Sequence, residues 1–264
     1  MIELGTVGWT DSHCHLQDFP AEELSTILKR AEIFKIERFC VNGTRPEDWS
    51  VVARLAANFP GVYPQFGLHP WQTAQTENWE IKLKEFLLRH PHAGVGEIGL
   101  DTQLTDTPLE TQRPAFQKQL ALAAELQRPC TIHAVGAVWD ELLEDLQTHR
   151  PRAALLHAWG GGTHMLPRWI ECNAYFSFGG ALCREPQSGK LVEAVQAIPL
   201  DRILLETDSP WQHPKGKAHR QEPAALLSVA EQVAKIKKVS LDLLRQVVEK
   251  NVTRCFGHRQ LGHG

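Results

Sequence analysis

The chain has 264 residues, of which 42% are hydrophobic and 22% are charged, and its formal net charge is -3. This composition excludes a disordered chain, and the slight negative charge excludes a surface that is basic throughout. The first ten residues contain Glu3 and no long apolar run, so we expect neither a signal peptide nor a membrane span, and a cytoplasmic location. The six cysteines are scattered singly, which favours reduced thiols.

Strand and helix patterns alternate along the chain. Short apolar runs predict eight strands, at residues 7–10, 38–42, 61–68, 93–100, 130–133, 153–157, 175–178 and 203–206. Amphipathic stretches predict helices at residues 21–35, 46–59, 78–89, 109–126, 136–147, 163–172, 188–198 and 223–236, with a closing helix at 240–255. Eight such units favour a (β/α)8 TIM barrel, with a doubly wound open sheet as the alternative. Because no linker interrupts the pattern, we predict one domain over residues 1–264.

The first predicted strand leads into the segment Asp11-Ser12-His13-Cys14-His15. Alternate side chains of an extended segment share a face, so His13 and His15 are expected to point the same way as Asp11. Neutral imidazole is a common ligand for transition metals. His13 and His15 therefore either provide half of a metal site or lie on the surface without a function.

Other polar residues fall at or just beyond the ends of further predicted strands, namely His69, Glu97, His133, His157 and Asp208. A closed barrel brings all these strand ends into one ring, which an open sheet does not. Glu97 stands in an apolar strand, where a buried charge requires either a cation or a structural salt bridge. Asp208 can both bind a metal and accept a proton from water.

The segments D-S-H-C-H, G-L-H-P, G-E-I-G-L-D, I-H, L-H and L-L-E-T-D-S-P, in this order over nearly the whole chain, resemble the TatD family of metal-dependent deoxyribonucleases. The resemblance implies a barrel with two divalent metal ions. By it, His13, His15 and Asp208 hold one ion, and His133 and His157 hold the other. Glu97 would bridge both ions, and His69 would contact the scissile phosphate.

Two cations about 3.5 to 4 Å apart can share a hydroxide and neutralise charge on a leaving oxygen, and Asp208 would orient or deprotonate that water. Histidine and carboxylate ligands suit zinc, manganese or cobalt, and magnesium is possible when substrate phosphates complete its coordination. We therefore expect two divalent ions of open identity. The expected substrate is DNA, bound and cleaved at single-stranded or frayed ends. The protein is expected to be a monomer.

Three segments depart from the family pattern. Val135 stands where family members usually carry an arginine, two positions after the histidine of strand five. After the histidine of strand six, residues 158–161 replace the usual C-F-S-G, and Gln221 replaces the asparagine of N-E-P. All proposed ligands are present, so these departures bear on the substrate rather than on the metal chemistry.

Three tryptophans, Trp71, Trp159 and Trp211, each follow a proposed site residue by two or three positions. Aromatic rings at a barrel mouth can stack on the bases of single-stranded nucleic acid, or they can pack loops together. We expect packing for at least one of them and stacking for Trp71 or Trp211. Further contacts to nucleic acid are expected from a basic loop that contains Lys215, Lys217, His219 and Arg220.

Two other functions compete with the nuclease. An amidohydrolase on a related barrel would cleave C–N or ester bonds, but many such enzymes bridge their metals with a modified lysine on strand four, where this chain has Glu97. The loss of the arginine at Val135 favours the amidohydrolase modestly. A barrel without activity is the other alternative, and the buried charges of an idle site argue against it.

Overall fold

The structure, a computed structural model, describes residues 8–74, 78–216 and 219–257. Eight parallel strands pair in the order of the chain, each with the next. They are β1 (Trp9–Cys14), β2 (Ile36–Asn42), β3 (Val62–Phe66), β4 (Gly94–Asp101), β5 (Pro129–Val135), β6 (Ala153–Leu156), β7 (Ala174–Phe178) and β8 (Ile203–Leu205). The predicted (β/α)8 barrel is confirmed, and the open sheet is excluded.

Hydrogen bonds between β1 and the segment after β8 close the barrel. The backbone N–H of Asp208 donates to the carbonyl of His13 at 3.0 Å, and that of His15 donates to the carbonyl of Ser209 at 2.7 Å. The Ser12 hydroxyl also donates to the carbonyl of Leu205, at 2.7 Å. The first and last strands thus meet where three of the predicted site residues lie.

Nine helices in the described ranges follow the strands: α1 (Ala21–Ile33), α2 (Pro46–Asn58), α3 (Trp79–Arg89), α4 (Leu109–Glu125), α5 (Trp139–His149), α6 (Leu166–Glu171), α7 (Gly189–Ala197), α8 (Leu226–Lys237) and α9 (Leu241–Phe256). Helix α2 shows how the sequence sets such an element. Pro46 stands at its first turn, where no backbone N–H is needed, and Trp49, Val52, Leu55 and Ala56 recur at helical spacing and are buried. The predicted helices at 163–172 and 223–236 each begin instead with a short 3-10 turn.

Three strands continue further at their C-terminal ends than predicted. β1 continues to Cys14, β4 to Asp101 and β5 to Val135, so His13 and His133 lie inside strands, as Glu97 does. The pairing of β4 with β5 shifts register between Val95 and Ile98, which inserts one extra residue at this point. Such a bulge bends a strand and can re-aim a side chain, and Glu97 lies within the shifted stretch with its side chain buried.

Among the described residues, none of the helices combines the length and the apolar character that crossing a lipid bilayer requires.

Candidate metal centre

The structure brings together the six residues predicted as ligands and His69, at the C-terminal end of the barrel. His13 lies in β1, Glu97 in β4 and His133 in β5. His15, His69, His157 and Asp208 lie in the segments that directly follow β1, β3, β6 and β8. Except for His133, which is partly buried, all of these side chains are buried, so their polar atoms depend on one another for partners.

The first group of potential ligand atoms consists of His13 Nε2, His15 Nε2, Glu97 Oε2 and Asp208 Oδ1. The two imidazole nitrogens lie 3.1 Å apart. Each lies 3.3 to 3.4 Å from the oxygens of Glu97 and Asp208. We call this group the first cluster.

The second cluster uses the other oxygen of the same carboxylate. Glu97 Oε1 lies 2.9 Å from His133 Nδ1 and 2.9 Å from His157 Nε2. The two nitrogens are 3.2 Å apart. Each oxygen of Glu97 therefore faces a different pair of histidines, which is the arrangement a carboxylate needs to connect two sites.

The spacing of the first cluster fits a divalent ion. Nitrogen and oxygen ligands about 2.0 to 2.1 Å from a tetrahedral ion lie about 3.3 to 3.4 Å from one another. The observed distances of 3.1 to 3.4 Å match this separation. The second cluster offers three ligands, which is the number that catalytic zinc sites provide beside an open position.

His69, which was predicted to contact only the substrate, lies directly beside the second cluster. Its Nε2 is 3.4 Å from Glu97 Oε1, and His69, Glu97 and His133 together form a possible ligand group. Its Nδ1 accepts a hydrogen bond from the backbone N–H of Trp71 at 3.2 Å, which leaves the proton of the neutral ring on Nε2. Burial lowers the pKa of His69 to about 4, so the ring is neutral at pH 7.

The carboxylates and most of the imidazoles stabilise one another's charged forms. Burial alone raises the pKa of Glu97, but neighbouring imidazolium groups, His157 first, hold it well below its usual value. The pKa of Asp208 is lowered in the same way by His13 and His15. Conversely, burial alone lowers the pKa of His15, but hydrogen bonds to Asp208 and Glu97 raise it well above its usual value. A divalent ion would displace the protons that the imidazoles share with these carboxylates.

Outer contacts differ between the two clusters. In the second cluster, His133 Nε2 lies 3.2 Å from Asp101 Oδ2, and His157 Nδ1 lies 3.7 Å from Glu206 Oε1. In the first cluster, His15 Nδ1 bonds the backbone carbonyl of Asn42 at 2.9 Å. Among the described residues, only the second cluster thus has carboxylates behind its histidines, and such partners raise the basicity of a ligand.

Sequence reasoning missed Asp101 and Glu206 as supporting residues, and it placed Asp11 on the face of His13 and His15 without a role. Glu206 is fully buried, and it accepts hydrogen bonds from Ser177 Oγ and from the backbone N–H of Ala158. The Asp11 carboxylate accepts hydrogen bonds from the backbone N–H of His13, at 3.4 Å, and from the backbone N–H and hydroxyl of Thr207, so it contacts the backbone of a ligand residue. A carboxylate within an apolar run was the available signal for Glu206, as it was for Glu97.

The contact between Asp101 and His133 leads to a prediction about metal affinity. We expect Asp101→Asn to weaken divalent ion binding at the second cluster by about 10- to 100-fold and to leave the first cluster unchanged, because the substitution removes the charge behind only one pair of histidines. Titration calorimetry with zinc or manganese would separate the two binding steps. Asp106→Asn, at an exposed aspartate in the loop that follows β4, serves as the control. Equal weakening of both steps would contradict the assignment.

Two of the three tryptophans are exposed. Trp71 and Trp211 are 53% and 55% exposed, and the Trp71 ring makes an edge contact with His69. Trp159, predicted at the mouth, is instead buried among Trp139, Trp169 and Phe176. Its backbone N–H donates to the carbonyl of Ser177, which turns the chain into the helix layer. The placement of Trp159 at the mouth was therefore wrong, while the expectation that one indole serves packing is confirmed.

The predicted basic loop offers less charge to a substrate than its composition indicated. Arg220 forms a salt bridge with Glu23 and lies over the ring of Phe19, so its charge is already compensated. Lys215 is exposed. Lys217 lies outside the described residues. At the position where the family usually has an arginine, the carbonyl of Val135 accepts a hydrogen bond from the backbone N–H of Thr102.

Comparisons with known proteins agree with this geometry. The family model described as TatD related DNase matches residues 10–257. The chain is 30% identical over 253 residues to the uncharacterized metal-dependent hydrolase YabD of Bacillus subtilis, covering 93% of this chain and 98% of that protein. It is also 30% identical over 243 residues to the 3'-5' ssDNA/RNA exonuclease TatD of Edwardsiella piscicida, covering 89% and 93%.

Among solved structures, the TatD homologue YjjV of Escherichia coli superposes with a TM-score of 0.89 at 26% identity, covering 97% of this chain and all of that one. The match in sequence and in fold extends over the strands that carry both clusters. The chain is therefore a metal-dependent hydrolase that belongs to the family of TatD-related DNases.

Proposed function

We propose that this protein hydrolyses phosphodiester bonds of DNA, with a preference for single-stranded ends, and uses two divalent ions held by the two clusters. The observation that carries the proposal is the position of Glu97, whose two oxygens each face a separate pair of histidines. A pair of ions at such a spacing suits in-line displacement at phosphorus. The exonuclease of Edwardsiella piscicida, to which the chain is similar, supports this choice of substrate.

When bound, the ions would supply a nucleophile at neutral pH and would neutralise charge on the phosphate oxygens. His13, His15 and Asp208 would hold one ion, His133 and His157 the other, and Glu97 both. Zinc, manganese, cobalt and magnesium all remain compatible with these donors.

Asp208 and His69 have roles that follow from their own contacts. The Asp208 carboxylate belongs to the first cluster through Oδ1, so that it could orient a water molecule bound there and receive its proton. His69 carries its proton on Nε2, because its Nδ1 accepts from Trp71, and it can donate that proton in a hydrogen bond to a phosphate oxygen. Trp71 thus has two expected roles. Its backbone N–H orients the His69 ring, and its exposed indole ring offers a surface on which a base can stack.

The substrate preference rests on the surroundings of the clusters. With a net charge of -3 and Arg220 compensated by Glu23, the protein has little general attraction for a duplex. The exposed rings of Trp71 and Trp211 instead offer two stacking surfaces, each worth about 1 to 3 kcal/mol per base. Trp211 is held in place by its indole N–H, which donates to Asp18 Oδ2 at 3.2 Å.

The test compares initial rates of the metal-loaded protein on end-labelled single-stranded DNA, blunt duplex, circular single-stranded DNA, RNA of the same sequence and a panel of amides. We expect the fastest cleavage on linear single-stranded DNA. Equal cleavage of circular and linear strands would rule out dependence on ends. Turnover of an amide without cleavage of any nucleic acid would establish the amidohydrolase alternative.

We expect Trp71→Ala to raise KM for single-stranded DNA by about 5- to 150-fold, the equivalent of one lost stacking contact, with a much smaller change in kcat. Trp71→Phe retains a ring and is expected to recover part of the loss. Phe34→Ala removes an exposed aromatic ring directly before β2, at the opposite end of the barrel, and serves as the control. A fall in kcat at unchanged KM would show that Trp71 acts through His69 rather than through stacking.

A further inference from the structure

Two arginines, the partly buried Arg128 and the exposed Arg152, lie side by side at the end of the barrel opposite the metal centre. Arg128 directly precedes β5 and Arg152 directly precedes β6, and the first pair of the β5–β6 register is Pro129 with Ala153. The backbone N–H of Arg152 donates to the carbonyl of Arg128 at 3.2 Å. Like charges placed opposite each other on neighbouring strands destabilise a sheet, so this pair requires an explanation.

The two side chains line a pocket of about 380 Å³. Its other polar lining residues include Tyr63, His92 and Gln127, and no aspartate or glutamate lines it among the described residues. The pocket is therefore a concave site with two permanent positive charges and no negative charge, in a protein whose net charge is negative.

Helix capping accounts for only part of the hydrogen-bonding capacity of these guanidinium groups. Arg128 Nη2 donates to the carbonyl of Leu87 at 3.4 Å, and Arg152 Nη2 donates to the carbonyl of Cys255 at 2.8 Å, near the ends of α3 and α9. Neither arginine forms a salt bridge with a described residue, and Arg128 Nε is buried without a partner. Each guanidinium has five N–H donors, so most of them remain available.

The charges of Arg128 and Arg152 also favour an anion in the pocket. Burial lowers the pKa of Arg128, and the adjacent charge of Arg152 lowers it further. Gly257 packs closely against the guanidinium of Arg152, since a Cβ at this position would lie 3.0 Å from Nη1 and 3.2 Å from Nη2. An anion in the pocket would relieve the repulsion between the two charges and would occupy the open donors.

We propose that this pocket at the N-terminal end of the barrel binds a phosphate group, held between the guanidinium groups of Arg128 and Arg152. Arginine is suited to this ligand because its planar fork donates two parallel hydrogen bonds to a phosphate. The group can be inorganic phosphate or the terminal phosphate of a nucleotide. The site is independent of the metal clusters and of the proposed nuclease activity.

The test is titration calorimetry of the full-length protein with inorganic phosphate and with deoxyadenosine monophosphate, in the presence and absence of EDTA. Binding that persists in EDTA is expected, since the pocket contains no metal ligand cluster. Arg128→Gln and Arg152→Gln are each expected to weaken it by about 10-fold or more, the loss of a charge-assisted hydrogen-bonded pair. Arg150→Gln, an exposed arginine outside the pocket lining, is expected to bind as the wild type does.

Thermal unfolding supplies a second readout that does not depend on affinity alone. Without phosphate, Arg128→Gln is expected to have a Tm equal to or higher than that of the wild type, because it removes the like-charge repulsion. With phosphate in EDTA, only the wild type and Arg150→Gln are expected to gain stability. If Arg152→Gln fails to fold, Arg152→Lys keeps the charge without the fork and is expected to bind more weakly than the wild type. Absence of binding in EDTA for both ligands, or equal binding by all variants, would overturn the proposal.

Discussion

Replacing Asp208 by asparagine is expected to lower kcat by about 10²- to 10⁴-fold, the usual contribution of a positioned proton acceptor. The fold should remain intact. The backbone of Asp208 has a φ of 53°, a left-handed conformation that asparagine tolerates well, and its N–H still donates to the carbonyl of His13. Asparagine also has the same size as aspartate, so the change removes charge and basicity without opening a cavity.

The measurement is the initial rate on single-stranded DNA together with the metal content of the purified variant. Asp201→Asn makes the same change at the other end of β8, where the residue is exposed, and should leave the rate unchanged. A variant Asp208→Asn that keeps its metal and most of the wild-type rate would show that another group receives the proton. EDTA should abolish the wild-type activity, and added divalent ions should restore it.

The second large effect is expected for Glu97→Gln. Because each carboxylate oxygen of Glu97 faces a different cluster, the substitution is expected to weaken ion binding at both clusters by about 10²-fold or more, and hydrolysis should be lost at micromolar metal. The glutamine amide would also direct an NH₂ group at imidazole nitrogens that need a negative partner. Two ions would then lose a ligand through one substitution, in contrast to the selective effect expected for Asp101→Asn.

Metal content after dialysis against limiting zinc or manganese would measure this directly. Glu110→Gln, at an exposed position of α4, is the matched control and should retain the wild-type content. Loss of a single ion from Glu97→Gln, with the other bound as before, would show that the carboxylate serves one cluster only.

Much of the metal centre could be predicted because histidine, aspartate and glutamate are unusual within or directly after apolar strands. An imidazole or carboxylate after an apolar run is conspicuous in sequence, and parallel strands in a barrel bring their ends together whatever lies between them. This reasoning located His13, His157 and Asp208 without a structure. It also located Glu97, inside a predicted apolar strand. It did not predict the bulge beside Glu97, because a bulge depends on the pairing of β4 with β5 and leaves no mark on hydrophobic periodicity.

The residues that sequence reasoning missed depend on contacts between distant segments. Asp101 meets His133 only because β4 and β5 pair in a register that sets Asp101 opposite Val135. Trp159 was misplaced for a similar reason, since its position two residues after His157 does not reveal whether the chain turns outward or toward Trp169. Position along the chain predicted which strand end a residue follows, and tertiary packing decided which way it points.

The seam between β1 and the segment after β8 also has a consequence for how the protein is made. His13 and Asp208 are joined across it, although they are separated by most of the chain. A contact of such long range forms late, because its loop-closure entropy must be offset by contacts made beforehand. During synthesis, an emerging polypeptide has the two histidines long before it has the aspartate. The first cluster is therefore completed only when the barrel closes, so that an incomplete or misfolded chain lacks the full set of groups that can hold a metal ion there.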